Sequence, residues 1–182
     1  VEFKIMKNSW VFPGQASQKI GMGKDLFDNT EIGKRYYETA NQILNVDIQS
    51  ISFNGPEELL KKTKYTQPAI FIVSAIIGKT MIAKGYTPDS VAGHSLGEYS
   101  ALLVSGAFDF PTGLEIVKLR SECMYNAGKE NRGTMAAIIG LSSTDVNNLC
   151  NEISSEKIAV IANYNTKNQI VVSGHVEAVE NL

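Results

Sequence analysis

The first part of the chain combines short apolar runs with longer stretches of helical spacing. Ser9–Phe12 and Ser90–Gly93 are short apolar runs beside glycine-containing turns, which predicts two buried strands. Apolar residues at helical spacing predict helices over residues 24–27, 31–44, 55–60, 66–82, 97–104 and 109–126. This order of strands and helices is typical of an α/β fold with parallel strands.

Two of these helices have starts that are predicted from proline. Gly55 is an acceptable N-cap and Pro56 fits the first helical position, with two glutamates following in the first turn. The next helix is expected to begin at Thr66, close to Pro68. Its apolar residues lie on nearly all sides, which predicts a helix buried on several sides.

The pattern changes after Gly128. A polar stretch is followed by a predicted strand, helix, strand, strand and helix, over residues 135–141, 143–153, 158–163, 169–173 and from Val176 onward. This order lacks only a last strand to be a ferredoxin-like unit. We therefore expect two domains, 1–128 and 129–182, with the second one incomplete.

Composition and charge favour an ordinary globular protein. Hydrophobic residues make up 43% of the 182 residues and charged residues 20%, and the net charge is -2. The densest basic cluster is Lys61, Lys62 and Lys64, which is too small to indicate nucleic-acid binding. The apolar stretch 69–77 is too short to span a bilayer, so we expect no membrane partner.

The cysteines and the first residues bear on the compartment. Cys123 and Cys150 have a spacing that fits no metal site, so we expect no metal and a reducing environment. The first ten residues contain no apolar stretch long enough for a signal peptide. The expected location is the cytoplasm.

The most specific feature is the pentapeptide Gly93-His94-Ser95-Leu96-Gly97. It lies between a predicted strand and a predicted helix, which is the context in which a G-x-S-x-G motif marks a nucleophilic serine. The turn lifts the Ser95 hydroxyl out of the sheet, and the next helix directs its positive end toward a developing oxyanion. The alternative is a glycine-flanked turn with a capping serine.

A serine nucleophile needs a general base, and the chain has two histidines. His94 adjoins Ser95 and points elsewhere on such a turn. His175 follows a predicted strand, where it more readily opens a helix. Either the base lies beyond Leu182 or the site is not catalytic.

Several segments together resemble the malonyl-CoA:acyl carrier protein transacylases. The likeness covers nearly the whole chain from about Ser9, in the right order. The segments that carry it are FPGQASQ at 12–18 with GMG at 21–23, TQPA at 66–69, GHSLGEY at 93–99, LRSECM at 119–124, MAAIIGL at 135–141 and VVSGH at 171–175. The resemblance implies an α/β-hydrolase-like large domain with a parallel sheet, of which residues 1–128 are the incomplete N-terminal part, and an inserted ferredoxin-like subdomain.

The resemblance also implies a reaction and its partners. Ser95 would take the malonyl group from malonyl-CoA as an ester and pass it to the phosphopantetheine thiol of acyl carrier protein, in fatty-acid synthesis. The oxyanion hole would be the backbone amides of Gln15 and Leu96. Coenzyme A enters as a thioester substrate, so no permanently bound cofactor is expected.

Four further residues carry over from the resemblance as substrate-binding residues. Arg120 would hold the malonyl carboxylate through two parallel hydrogen bonds and so select a diacid over acetyl. Gln67 and Met124 would line the pocket, although a methionine at helical spacing is more often simply core. His94 is placed with them beside the nucleophile.

The chain departs from the family at its end. Family members continue past this point, and their catalytic histidine follows the small subdomain, so the sequence resembles their N-terminal part. Three alternatives to the fatty-acid enzyme remain: a stand-alone polyketide acyltransferase, a serine hydrolase that releases acyl groups to water, and a non-catalytic module that docks the carrier.

Overall fold

A computed structural model of the protein describes residues 7–130, 132–153 and 157–182. Residues 1–6, at the start of the segment in which a signal peptide was sought, lie outside this description. The chain divides into two compact units, Val1–Tyr125 and Asn126–Leu182. The boundary expected from the sequence follows residue 128.

Among the described residues, the first unit contains a two-stranded parallel sheet, six complete helices and most of a seventh. Strand β1 (Ser9–Phe12) pairs with β2 (Ser90–Gly93), and their registers end together at Phe12 and Gly93. The helices are α1 (Lys24–Asn29), α2 (Glu31–Leu44), α3 (Ile48–Asn54), α4 (Glu57–Leu60), α5 (Thr63–Ala83), α6 (Gly97–Ser105) and α7 (Phe110–Glu130). The predicted α/β class is confirmed.

Helix α5 forms the centre of the first unit's core. Phe71, Ile72 and Ile76 on this helix are fully buried, and Tyr37 and Leu114 join them from α2 and α7. The helix is long and apolar enough to cross a bilayer by length and composition, but 61% of its most apolar window is buried inside the protein, as in a soluble core helix.

Two sequence-based predictions near α3 and α4 are wrong. Helix α3 was not predicted, and the structure caps it with the Asp47 carboxylate, which accepts a hydrogen bond of 2.9 Å from the Ser50 N–H. Gly55 was predicted to start α4, but with φ 81° it ends α3 instead. Pro56 has an extended backbone and occupies the N-cap of α4 rather than its first helical position.

Helix α5 begins one turn earlier than the sequence predicts. Its first residue is Thr63 instead of Thr66, so Pro68 lies inside the helix. A proline has no N–H to donate to the carbonyl four residues earlier, which here belongs to Lys64. The Ser121 hydroxyl of α7 lies 3.5 Å from that carbonyl oxygen. This distance is at the outer limit of a hydrogen bond, and the same hydroxyl lies closer, at 2.9 Å, to the Lys118 carbonyl of its own helix.

Helix α7 is longer than predicted and has a well-defined start. It continues past the predicted end at Asn126 to Glu130, which lies inside the polar stretch that follows Gly128. The Asp109 carboxylate accepts a hydrogen bond of 3.0 Å from the Thr112 N–H, which places Asp109 at the N-cap. Because polar residues are compatible with an exposed helix, composition alone did not mark its end.

The second unit has the predicted order β-α-β-β-α. Strand β3 (Gly133–Ile139), helix α8 (Ser143–Glu152), strands β4 (Ala159–Thr166) and β5 (Gln169–His175) and helix α9 (Val176–Glu180) follow one another. The sheet is antiparallel with the order β3-β5-β4. Its small core contains Val146, Ile170, Val172 and Val179. The Ser142 side chain caps α8, because its hydroxyl oxygen accepts a hydrogen bond of 3.2 Å from the Asp145 N–H.

Candidate active site

The paired ends of β1 and β2 bring two loops together. Phe12 and Gly93 are partners at the carboxyl ends of the two parallel strands. The backbone N–H of His94 donates a hydrogen bond of 3.0 Å to the Phe12 carbonyl, which extends the pairing by one residue. The loop that contains Gln15 and the turn that contains Ser95 therefore leave the sheet side by side.

The turn at Ser95 requires its two flanking glycines. A Cβ on Gly93 would lie 1.9 Å from the Gly97 carbonyl carbon, and a Cβ on Gly97 would lie 2.1 Å from the Phe12 carbonyl oxygen. No side chain fits at those distances. Ser95 itself has φ 53°, which is the left-handed region that residues other than glycine rarely adopt. The G-x-S-x-G motif thus forms a strained strand-to-helix turn.

Two backbone amides of these loops are the predicted oxyanion-hole donors, those of Gln15 and Leu96. Within residues 7–130, neither the N–H of Gln15 nor that of Leu96 donates a hydrogen bond. The Leu96 side chain is fully buried in the main core, so its backbone is held in place where α6 begins. The positive end of α6 adds to the potential at this point. The Leu96 amide has the features of an oxyanion donor.

Arg120 lies directly against the serine. Its Nη2 donates a hydrogen bond of 3.0 Å to Ser95 Oγ, and its Nη1 donates one of 2.5 Å to Gln67 Oε1. Among the described residues Arg120 forms no salt bridge. The guanidinium therefore brings to Ser95 a positive charge that has no counter-ion within the described part of the chain, together with N–H donors that remain available to an anion.

Gln67 connects the arginine to the Gln15 loop. Its side chain is only 1% exposed, and its Nε2 donates to Gln15 Oε1 at 3.4 Å and to Met124 Sδ at 3.3 Å. Gln15 Nε2 in turn donates to Thr63 Oγ1 at 3.3 Å. Four of the residues that the sequence singled out, namely Ser95, Arg120, Gln67 and Gln15, thus form one continuous network. Met124 joins it at the edge, 48% exposed rather than in the core.

Both histidines contact backbone groups of the protein. The His94 carbonyl accepts from the Gly97 N–H at 2.9 Å, and a Cβ on Gly14 would lie 2.8 Å from His94 Nδ1, so the residue packs against the Gln15 loop. His175 precedes α9, and its Nδ1 accepts a hydrogen bond of 2.8 Å from the Ile158 N–H. This matches the expectation that His175 opens a helix.

Comparison with known proteins identifies the family. The model of the acyl transferase domain family matches residues 9–182. The chain belongs to the acyl transferase domain family. The Ser95 turn lies within the matched residues.

Two relatives of the chain are both named malonyl CoA-acyl carrier protein transacylase. The chain is 45% identical over 175 residues to a malonyl CoA-acyl carrier protein transacylase of Synechocystis sp., covering 96% of this chain and 57% of that protein. A transacylase structure from Coxiella burnetii superposes with a TM-score of 0.89 at 36% identity, covering 96% of this chain and 56% of that one. The resemblance to the malonyl-CoA:acyl carrier protein transacylases is confirmed.

A third relative comes from polyketide synthesis. It is a malonyl-transacylase solved in complex with a type II polyketide acyl-carrier protein, with a TM-score of 0.89 and 38% identity, covering 97% of this chain and 57% of that one. The chain thus spans little more than half the length of the acyl transferases that it matches.

Two residues of the candidate site were missed by sequence reasoning. Tyr99 lies under the Arg120 guanidinium, with 5.6 Å between Cζ and the ring centroid, and Thr63 anchors the Gln15 side chain. Tyr99 belongs to the GHSLGEY segment, so its place four residues after Ser95 was a usable signal. Thr63 gave none, because α5 was expected to begin after it. Within the described residues, no three metal-ligating side chains come together.

Proposed function

We propose that this acyl transferase moves a malonyl group from coenzyme A to the phosphopantetheine thiol of acyl carrier protein, through an ester on Ser95. The observation that carries the proposal is the Arg120 guanidinium, which lies 3.0 Å from the nucleophile without an acidic partner among the described residues. An uncompensated arginine at the reacting centre suits a substrate that brings its own carboxylate.

In the first half of the reaction, Ser95 Oγ attacks the thioester carbonyl carbon. The carbonyl oxygen becomes an oxyanion, which accepts hydrogen bonds from the Gln15 and Leu96 amides. As the intermediate collapses, the C–S bond breaks and coenzyme A leaves as the thiol after taking a proton. The malonyl carboxylate is joined to the ester by a single methylene, so Arg120 can pair with it while the ester forms.

In the second half, the carrier's thiol attacks the Ser95 ester. A new C–S bond forms, the C–O bond to Ser95 breaks, and the serine recovers its proton. Both halves need a base that accepts and returns one proton. His94 packs against the Gln15 loop, and His175 Nδ1 already accepts a hydrogen bond from the Ile158 N–H. The proposal therefore assigns the role of base to a residue outside residues 1–182.

The same proposal covers pathway, cofactor and compartment. The relatives' names include both the general malonyl transacylases and a polyketide partner complex, and we place this chain in fatty-acid synthesis. The reaction uses coenzyme A only as a carried group and needs no resident cofactor. We place it in the cytoplasm, because Cys123 and Cys150 are both free thiols.

Intact-protein mass spectrometry of the complete protein tests the proposal. The protein is mixed with malonyl-CoA, with acetyl-CoA and with neither, and Ser95→Ala is treated in the same way. We expect a malonyl adduct on the wild type that is absent from Ser95→Ala. Adding acyl carrier protein with its phosphopantetheine arm should remove the adduct and transfer the same mass to the carrier.

Three outcomes would contradict the proposal in different ways. An adduct that survives in Ser95→Ala would place the acyl group on another residue. An adduct that disappears equally fast without the carrier would identify a hydrolase. A complete protein that forms no adduct but binds acyl carrier protein would be a docking module.

A further inference from the structure

Tyr99 is a residue of the site that the reaction above does not use. It lies in the first turn of α6, and its ring packs against the main core on one side. The Arg120 guanidinium lies over the ring, with 5.6 Å from Cζ to the ring centroid. This distance is within the range of an attractive cation–π contact.

The contact complements the two hydrogen bonds of Arg120. Nη1 is directed to Gln67 and Nη2 to Ser95, which fixes two points of the planar group. The Tyr99 ring supports the plane from its face. Three groups on three different elements, α5, α6 and the turn before it, therefore determine where the guanidinium lies.

An aromatic ring holds a guanidinium differently from a carboxylate. A carboxylate would neutralise the positive charge and occupy two of its five N–H donors. The ring attracts the cation through its face and uses no donor. Arg120 therefore keeps both its charge and its remaining donors for an incoming anion, while its plane stays fixed.

We propose that Tyr99 is a positioning residue that holds the Arg120 guanidinium ready for a substrate carboxylate, and so contributes to the selection of diacid over monoacid thioesters. The inference rests on the proposed function, because it supposes that Arg120 pairs with the malonyl group. Tyr99 itself does not touch the reacting atoms. Its effect is confined to substrates that carry the carboxylate.

Two variants of the complete protein separate the ring from the hydroxyl and from packing. Tyr99→Leu removes the aromatic face and keeps an apolar side chain against the core, whereas Tyr99→Phe keeps the face. We expect Tyr99→Leu to raise the KM for malonyl-CoA about tenfold with a smaller change in kcat. Tyr99→Phe should behave as the wild type, and kcat/KM for acetyl-CoA should be the same in all three proteins.

A double-mutant cycle gives the decisive comparison. In an Arg120→Ala background, Tyr99→Leu should cause no further loss of malonyl over acetyl preference, since the residue acts through the arginine. The inference would be overturned if the losses of malonyl preference in the two single variants added up in the double variant. It would also be overturned if Tyr99→Leu lowered kcat/KM equally for both substrates, or if Tyr99→Phe lost as much as Tyr99→Leu. A wild type that transfers no malonyl group would instead refute the proposed function.

Discussion

The Ser121 hydroxyl lies 3.5 Å from the carbonyl oxygen of Lys64, the acceptor that Pro68 leaves without its helical donor. The same hydroxyl is 2.9 Å from the Lys118 carbonyl of its own helix. Ser121 is fully buried, so these backbone groups are its available partners. A hydroxyl has one proton, and the shorter distance directs it to Lys118, so the Lys64 carbonyl on α5 receives at most a weak contact from this serine. Both helices carry residues of the candidate site.

Replacing Ser121 should lower the stability of the protein where α7 packs against α5. Ser121→Ala removes the donor and is expected to lower the free energy of unfolding by about 1 kcal/mol. The measurement is denaturant unfolding of the complete protein. Ser105→Ala is the matched control, because that exposed serine donates to the Leu102 carbonyl of its own helix, as Ser121 donates to that of Lys118. Equal losses in the two variants would show that the α5–α7 contact contributes nothing.

Gly97 should tolerate no side chain. An alanine Cβ would lie 2.1 Å from the Phe12 carbonyl oxygen, so the turn or β1 must shift. We expect Gly97→Ala to destabilise the protein by about 3 kcal/mol and to abolish acylation of Ser95. Gly128→Ala is the control: no heavy atom lies within 4 Å of its added Cβ, and alanine should stabilise α7 by up to about 1 kcal/mol. Thermal melts of both variants measure the difference.

Arg120 should separate diacid from monoacid substrates. We expect Arg120→Ala to lower kcat/KM for malonyl-CoA about 100-fold, which corresponds to the loss of a charged, paired hydrogen bond. Transfer from acetyl-CoA should change little, because acetyl offers no carboxylate. Arg120→Lys, which keeps the charge but loses the planar fork, should fall between the two. Steady-state kinetics with both thioesters are the test, and similar losses for both would argue against a carboxylate clamp.

Asp109 should make the start of α7 sensitive to acid. Hydrogen bonds from the Thr112 side chain and backbone lower the pKa of Asp109 below its usual value of 3.8. Between the folded and unfolded pKa values the unfolded chain binds more protons, so this contribution is complete above the unfolded value and is lost as pH falls through the folded one. Asp109→Asn keeps an N-cap that does not titrate.

Melting temperatures between pH 6 and pH 2 test this expectation. The advantage of the wild type over Asp109→Asn should be constant above about pH 4 and should shrink below it. Glu115→Gln, an exposed substitution on the same helix that also removes one negative charge, is the control. A wild-type advantage over Asp109→Asn that grows toward low pH would contradict the assigned direction of the pKa.

The sequence predicted those parts of the fold that depend on local pattern. Both strands of the parallel sheet, α2 and the Ser95 turn were located because apolar periodicity and glycine placement are local signals. Helix α3 was missed because seven residues give too short a period to recognise. The start of α5 was misplaced because a proline was expected only at the start of a helix, whereas Pro68 lies inside α5 and leaves a single carbonyl, that of Lys64, without its helical donor.

For the candidate site, the sequence identified the residues but not the contacts between them. Ser95, Gln15, Gln67 and Arg120 were named in advance because each lies in a recognisable segment. Their hydrogen bonds and the contact between Tyr99 and Arg120 join residues that are distant in the chain, so they required the structure. Pairings of this kind arise from packing between helices, and the period of any single helix does not encode them.

At residue 95, the residue that would best stabilise the backbone differs from the residue that the proposed reaction needs. With φ 53°, the serine occupies a conformation that glycine adopts at no steric cost. Ser95→Gly should therefore melt higher than the wild type while losing its nucleophile. A directed-evolution library of this protein selected for heat resistance alone will enrich inactive members at residue 95, so any such selection must also demand acyl transfer.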